Sequence, residues 1–152
     1  LDELFKIYYH YLKKWEKGKS DFLEKYEVRV RFVGDLSKLP PKLVRIMGKI
    51  MIKTVKYQKR FLNLLVAYGG QLEIREVIKK IDEKCIKTGR LEISEKDIEK
   101  ELWVPVPLDL VIRTGGWCRL SNFLIWQAAY AEIYVTKTLW PEDNVTTSSN
   151  YD

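Results

Sequence analysis

The sequence predicts an α/β fold with a mainly parallel central sheet flanked by helices. Two observations predict it. Short runs of β-branched and other apolar residues alternate with longer segments whose apolar residues recur at three- and four-residue spacing. The apolar runs also end at glycine turns, Gly34-Asp35, Gly69-Gly70 and Gly115-Gly116.

The first helix is expected from Leu1 to about Lys17, where Leu1, Leu4, Phe5, Tyr8, Leu12 and Trp15 keep helical spacing and Tyr9 and Tyr11 widen the stripe. Gly18 and Ser20 break it. Val28-Arg29-Val30-Arg31-Phe32-Val33 alternates apolar and basic residues before Gly34-Asp35, a strand ending in a turn. Pro40-Pro41 opens a second, basic helix that runs to about Tyr57, with Leu43, Ile46, Met47, Ile50 and Met51 on one face. Phe61 to Ala67 is nearly continuous in apolar residues, consistent with a strand buried on both faces. Tyr68-Gly69-Gly70 ends it, better read as a tight strand-to-helix turn than as a ligand contact.

A third helix is expected from about Leu72 to Lys87, and a short capped one from Ser94 to Leu102. Pro105 and Pro107 lead into a buried strand, Leu108 to Arg113, followed by the loop Thr114-Gly115-Gly116. Ser121 or Asn122 is placed to N-cap a helix through about Tyr130. Glu132 to Val135 is the last strand, and residues 142–152 form a polar tail expected to be disordered. No repeat, low-complexity block or linker divides the chain.

The 152 residues suffice for one domain with a real core. Hydrophobic residues make up 46% and charged residues 32%, which excludes a disordered chain. No apolar run approaches the ~20 residues that span a bilayer, and no secretory pattern opens the chain; a cytoplasmic location is expected. The chain begins at Leu1 rather than Met, so a preceding segment is expected. Cys85 and Cys118 form no CxxC motif and read as reduced thiols. His10, the single histidine, builds no zinc site with them at any standard spacing. The net charge of +6 suits an anionic partner, or simply reflects solvated lysines. A nucleic-acid partner is not expected, because the lysines spread over several helices without a recognition motif.

Parallel α/β sheets bind ligands beyond the carboxyl ends of their strands. The loop in that position reads Arg113-Thr114-Gly115-Gly116-Trp117-Cys118-Arg119-Leu120-Ser121-Asn122. Two arginines bracket a Gly-Gly turn, and a serine opens the expected helix. Guanidinium forks match phosphate oxygens, and a helix N-terminus offers free N–H groups. The combination reads as a diphosphate cradle; the plainer reading is a structural turn with surface arginines. Glu132 lies within reach of the same end of the sheet, and a carboxylate beside a diphosphate suggests Mg²⁺; alone it is an ordinary surface residue.

Asp109 to Gly116, Arg119 to Gln127, Ala129-Tyr130-Ala131-Glu132 and Leu139-Trp140-Pro141 together resemble the C-terminal signature of the cis-prenyltransferases, the undecaprenyl and dehydrodolichyl diphosphate synthases. Val28 to Asp35 and Tyr68-Gly69-Gly70 resemble further blocks in the same order. The resemblance runs from about Leu1 to Pro141, so that residues 1–141 would be the C-terminal portion of a single cis-prenyltransferase domain.

The resemblance implies a homodimer, a hydrophobic tunnel, and Mg²⁺-dependent condensation of isopentenyl diphosphate with an allylic prenyl diphosphate to give a cis-polyprenyl carrier-lipid precursor. It implies that Arg113, Arg119 and Ser121, with the backbone around Leu120, hold the diphosphate of isopentenyl diphosphate. Glu132 would be a metal ligand, contributed across the dimer, and Leu4, Tyr8, Leu12 and Trp15 would line the tunnel. Peripheral membrane contact for product release also follows. The 152 residues contain no Met-Asp-Gly-Asn-Arg-Arg-type loop, so no catalytic aspartate is assigned and the chain as given is expected to be inactive alone. Trp117 stands where the resembling sequences usually carry an acid. The alternative is a non-catalytic subunit of a heteromeric cis-prenyltransferase.

Overall fold

Alternation in Val28-Arg29-Val30-Arg31-Phe32-Val33 sets strand β1 (Val28–Val33), whose Val28, Val30 and Phe32 are buried while Arg29 and Arg31 are half-buried. In this computed structural model, residues 2–18, 21–89 and 92–140 are described, in two compact units, Leu1–Tyr68 and Gly69–Asp152. The expected tail, 142–152, lies outside the described residues.

The first unit holds α1 (Asp2–Glu16), α2 (Asp21–Lys25), β1, a 3-10 turn at Leu36–Lys38, α3 (Pro41–Thr54) and β2 (Arg60–Leu65). β1 and β2 pair in parallel from Val28↔Arg60 to Val33↔Leu65, with α3 between them in sequence. Pro41 fits the first helical turn, where no intrahelical N–H bond is lost. α3 buries Leu43, Ile46, Met47 and Ile50, each contributing roughly 1.5–3 kcal/mol of hydrophobic stabilisation. Thr54 ends the helix and binds the strand: its hydroxyl accepts from Val30 N at 3.1 Å and donates to the Ile50 carbonyl at 2.9 Å. Met51 Sδ accepts from Phe32 N at 3.5 Å. The backbone of β1 is thus satisfied partly by helix side chains.

On α1 the face toward this core is Phe5, Tyr9, Leu12 and Trp15. Leu4 and Tyr8, expected on that stripe, are 44% and 42% exposed; helical spacing places Phe5, Tyr9 and Leu12 on one line and Leu4 and Tyr8 beside it. β2 is not buried on both faces. Leu62 and Leu64 pack on the core, while Phe61, with opposite parity, is 56% exposed.

The second unit holds α4 (Gly70–Thr88), α5 (Glu95–Glu101), β3 (Leu110–Arg113) and β4 (Glu132–Val135). Gly89, left-handed at φ 68°, caps α4 by donating to the Cys85 carbonyl at 2.8 Å. Ser94 caps α5 in a reciprocal box: Asp97 N donates to Ser94 Oγ, and Ser94 N donates to Asp97 Oδ2 at 2.9 Å. Val77, Ile81 and Leu102 form one core cluster, with Cys85, Ile98 and Trp126 against it.

Beside that core lies a buried carboxylate. Glu73, 1% exposed, accepts from Trp103 N at 2.6 Å, from Val104 N at 3.4 Å and from Gln127 Nε2 at 3.2 Å. Gln127 Nε2 also donates to the Val104 carbonyl at 3.1 Å, and the Gln127 carbonyl accepts from Leu108 N at 2.9 Å. This network joins α4 to the chain entering β3 and to the turns around residue 127.

β3 and β4 pair in parallel, Leu110↔Glu132 through Arg113↔Val135. The parallel α/β class is therefore present, as two two-stranded ladders, one in each unit. β3 was expected to be buried, yet Leu110 and Ile112 are 50% and 57% exposed and only Val111 is buried. The expected helix from Ser121 to Tyr130 is a series of turns. Ser121, Asn122 and Leu124 hold φ of 50°, 64° and 41°, and left-handed residues cannot continue a right-handed helix. Among the described residues, no helix is long and apolar enough to cross a membrane.

Candidate functional site

Arg113 is the last residue of β3, so its side chain leaves the carboxyl end of the ladder. The following loop is tied down by backbone bonds to the segment after β4. Gly115 N donates to the Thr138 carbonyl at 3.0 Å, Gly116 N to the Thr136 carbonyl at 2.8 Å, and Thr136 N to the Arg113 carbonyl at 2.9 Å. Gly115 and Gly116 hold φ of 85° and 78°, a turn that a side chain would strain.

Arg113 then organises the loop from below. Its Nη1 donates to the Arg119 carbonyl and, at 3.1 Å, to the Ser121 hydroxyl. Its Nε is buried and has no hydrogen-bond partner among the described residues. Arg119 is exposed, its guanidinium over the Trp117 ring at 4.9 Å from the centroid. Leu120 is half-buried and Ser121 exposed. Arg113, Arg119, Leu120 and Ser121 are thus brought together, within a turn rather than at the start of a helix.

Asn122 completes the loop by capping another element. Its Oδ1 accepts from Gln71 N at 2.9 Å and its carbonyl accepts from Gly70 N at 2.7 Å. A Cβ on Gly70 would stand 2.8 Å from Ile125 Cγ1 and 3.2 Å from the Asn122 carbonyl oxygen. The Gly69-Gly70 pair therefore serves a close internal approach, the tight-turn reading. The capping role of Asn122 was not legible beforehand; its partner lies 51 residues away in sequence.

Glu132 is not brought to this loop. It is exposed, opens β4 opposite Leu110, and its N donates to the Asp109 carbonyl at 3.0 Å. Arg113 lies three register steps further on, roughly 10 Å along the strands. The parallel register sets this separation within one chain: the first residue of one strand does not share an end with the last residue of its neighbour. Among the described residues, no group of three His, Cys, Asp or Glu side chains is arranged to hold a metal ion. Within one chain, Glu132 and the Arg113 loop are therefore held apart.

In the first unit a cavity of about 350 Å³ is lined by Tyr8, Leu12 and Trp15 together with Tyr11, Phe32 and Met47 among others. Leu4 is not in its lining.

These features define a parallel α/β protein whose strand-end loop gathers Arg113, Arg119 and Ser121. Comparison with known proteins names the family. Residues 1–148 match the prenyltransferase family described as "Putative undecaprenyl diphosphate synthase". The chain belongs to this family. It is 42% identical over 138 residues to the tritrans,polycis-undecaprenyl-diphosphate synthase (geranylgeranyl-diphosphate specific) of Methanocaldococcus jannaschii, covering 85% of this chain and 48% of that protein. It is 40% identical over 134 residues to the isoprenyl transferase of Aquifex pyrophilus, covering 86% and 56%. The chain thus spans about half the length of these curated relatives. A crystal structure described as a "probable undecaprenyl diphosphate synthase" from Campylobacter jejuni superposes with a TM-score of 0.81 at 32% identity, covering 99% of this chain and 72% of that one. Lavandulyl diphosphate synthase from Lavandula x intermedia, in complex with dimethylallyl diphosphate, gives 0.83 at 30% identity, covering 95% and 63%.

Proposed function

We propose that this chain supplies the isopentenyl-diphosphate half of a cis-prenyltransferase site. The whole reaction would condense isopentenyl diphosphate with an allylic prenyl diphosphate to lengthen a polyprenyl diphosphate, a carrier-lipid precursor. The observation that carries the reading is the loop in which Arg113 ties the Arg119 carbonyl to the Ser121 hydroxyl. A diphosphate there would meet two guanidinium groups and a hydroxyl, and charge-assisted bonds of this kind are the strong ones. The apolar cavity beside α1 suits an isoprenoid chain, which needs a water-free channel.

Mg²⁺ is the cation this reading calls for, and when bound it would neutralise charge on the diphosphate. Glu132 becomes its ligand at this diphosphate only when a second copy brings Glu132 there, which is the proposed homodimer. A cytoplasmic enzyme with peripheral membrane contact at product release fits the same reading.

The test is calorimetric titration of the chain with isopentenyl diphosphate, beside Arg119→Ala. We expect the variant to bind more weakly by ~1.5–3 kcal/mol, the range for a hydrogen bond to a charged group. Unchanged affinity would remove Arg119 from the site. If the wild-type chain binds no diphosphate and copurifies with a second prenyltransferase chain, the non-catalytic subunit becomes the better account.

A further inference from the structure

Trp117 is 63% exposed, so burial does not fix its ring. What the ring does touch is Arg119, whose guanidinium carbon lies 4.9 Å from the ring centroid. The backbone makes the stack local: Arg119 N donates to the Trp117 carbonyl at 3.1 Å, and Arg113 holds the Arg119 carbonyl from the other side. Among the described residues the Arg119 guanidinium has no hydrogen bond or ion pair. The backbone of Arg119 is thus fixed by Arg113, and its side chain by Trp117.

We propose that Trp117 is a positioning residue for diphosphate binding, which orders the Arg119 guanidinium without neutralising it; this rests on the reading of the loop given above. A guanidinium held over an aromatic ring keeps its full charge and spends no N–H donor on a carboxylate, so its donors stay available to phosphate oxygens. Arginine otherwise loses substantial rotamer freedom on binding, and pre-ordering it moves that cost out of the binding step.

The experiment titrates the full 152-residue chain with inorganic pyrophosphate by calorimetry, comparing wild type with Trp117→Ala, Trp117→Phe, Arg119→Ala and the Trp117→Ala/Arg119→Ala pair. Trp117→Ala is expected to weaken binding about twofold to fivefold, the fold-change equivalent to an exposed cation–π contact. Trp117→Phe should recover most of that loss. In the Arg119→Ala background, Trp117→Ala should add nothing, because its effect passes through Arg119. The thermal unfolding midpoint should stay unchanged. Equal binding by wild type and Trp117→Ala would overturn the inference, and so would a full additive loss in the double variant. Absence of pyrophosphate binding by the wild-type chain would instead overturn the reading of the loop, and this inference with it.

Discussion

Arg113 Nη1 donates to Ser121 Oγ at 3.1 Å, reaching from the end of β3 to the far side of the loop it begins. The same nitrogen donates to the Arg119 carbonyl. Geometry as well as charge therefore depends on this side chain. Arg113→Lys keeps the charge and loses the planar fork, and an ammonium on a flexible stem is a poor substitute at such a site. Isopentenyl diphosphate affinity should fall about tenfold or more, equivalent to losing one charge-assisted hydrogen bond. If Arg113→Lys binds like wild type, charge alone accounts for the contribution of residue 113.

The parts of this site that the sequence made legible are those encoded locally. Periodicity located α1, α3 and α4 to within a few residues. Ser94 announced the cap of α5, and the last strand was read as Glu132–Val135, where it lies. Long-range facts were not legible. The apolar spacing of Phe123, Leu124 and Trp126 suits a helix, but left-handed backbone at Ser121, Asn122 and Leu124 overrides it. Hydropathy made Phe61 to Ala67 a strand buried on both faces; it reports what a residue tolerates, not whether a neighbour covers Phe61. The distance from Glu132 to the loop follows from strand register, which no short motif encodes. α2 has only five residues and carried no periodic signal.

Glu73 gives the clearest stability prediction. A carboxylate that is 1% exposed accepts from Trp103 N, Val104 N and Gln127 Nε2. Glu73→Ala removes an acceptor shared by Trp103 N, Val104 N and Gln127 Nε2, of which Gln127 Nε2 keeps its bond to the Val104 carbonyl, at a penalty of ~1–3 kcal/mol for each donor that neither protein nor water then satisfies. A total loss of about 3 kcal/mol is expected, read as a lower urea midpoint. Glu73→Gln, which keeps one carbonyl acceptor, should lose less. Equal midpoints for wild type and Glu73→Ala would mean that water satisfies these donors.

Glu101 makes the α4–α5 contact dependent on pH. Its carboxylate accepts from Lys84 Nζ and lies 3.9 Å from Lys80, so both cations approach it from α4. The Lys84 hydrogen bond is the main cause holding its pKa below the ordinary glutamate value; partial burial opposes this, and the charges of Lys84 and Lys80 add to it. Because the folded-state pKa is depressed, the stabilisation is fully present above the unfolded glutamate pKa of about 4.3 and is lost as pH falls through the folded value. The contribution is small, since Lys84 is 65% exposed and water screens the pair. Urea midpoints measured from pH 7 down to pH 3 should fall less steeply for Glu101→Gln than for wild type, with the two curves converging at the acid end. Parallel curves across the whole range would show that Glu101 has the same pKa folded and unfolded, and that the ion pair adds no acid sensitivity.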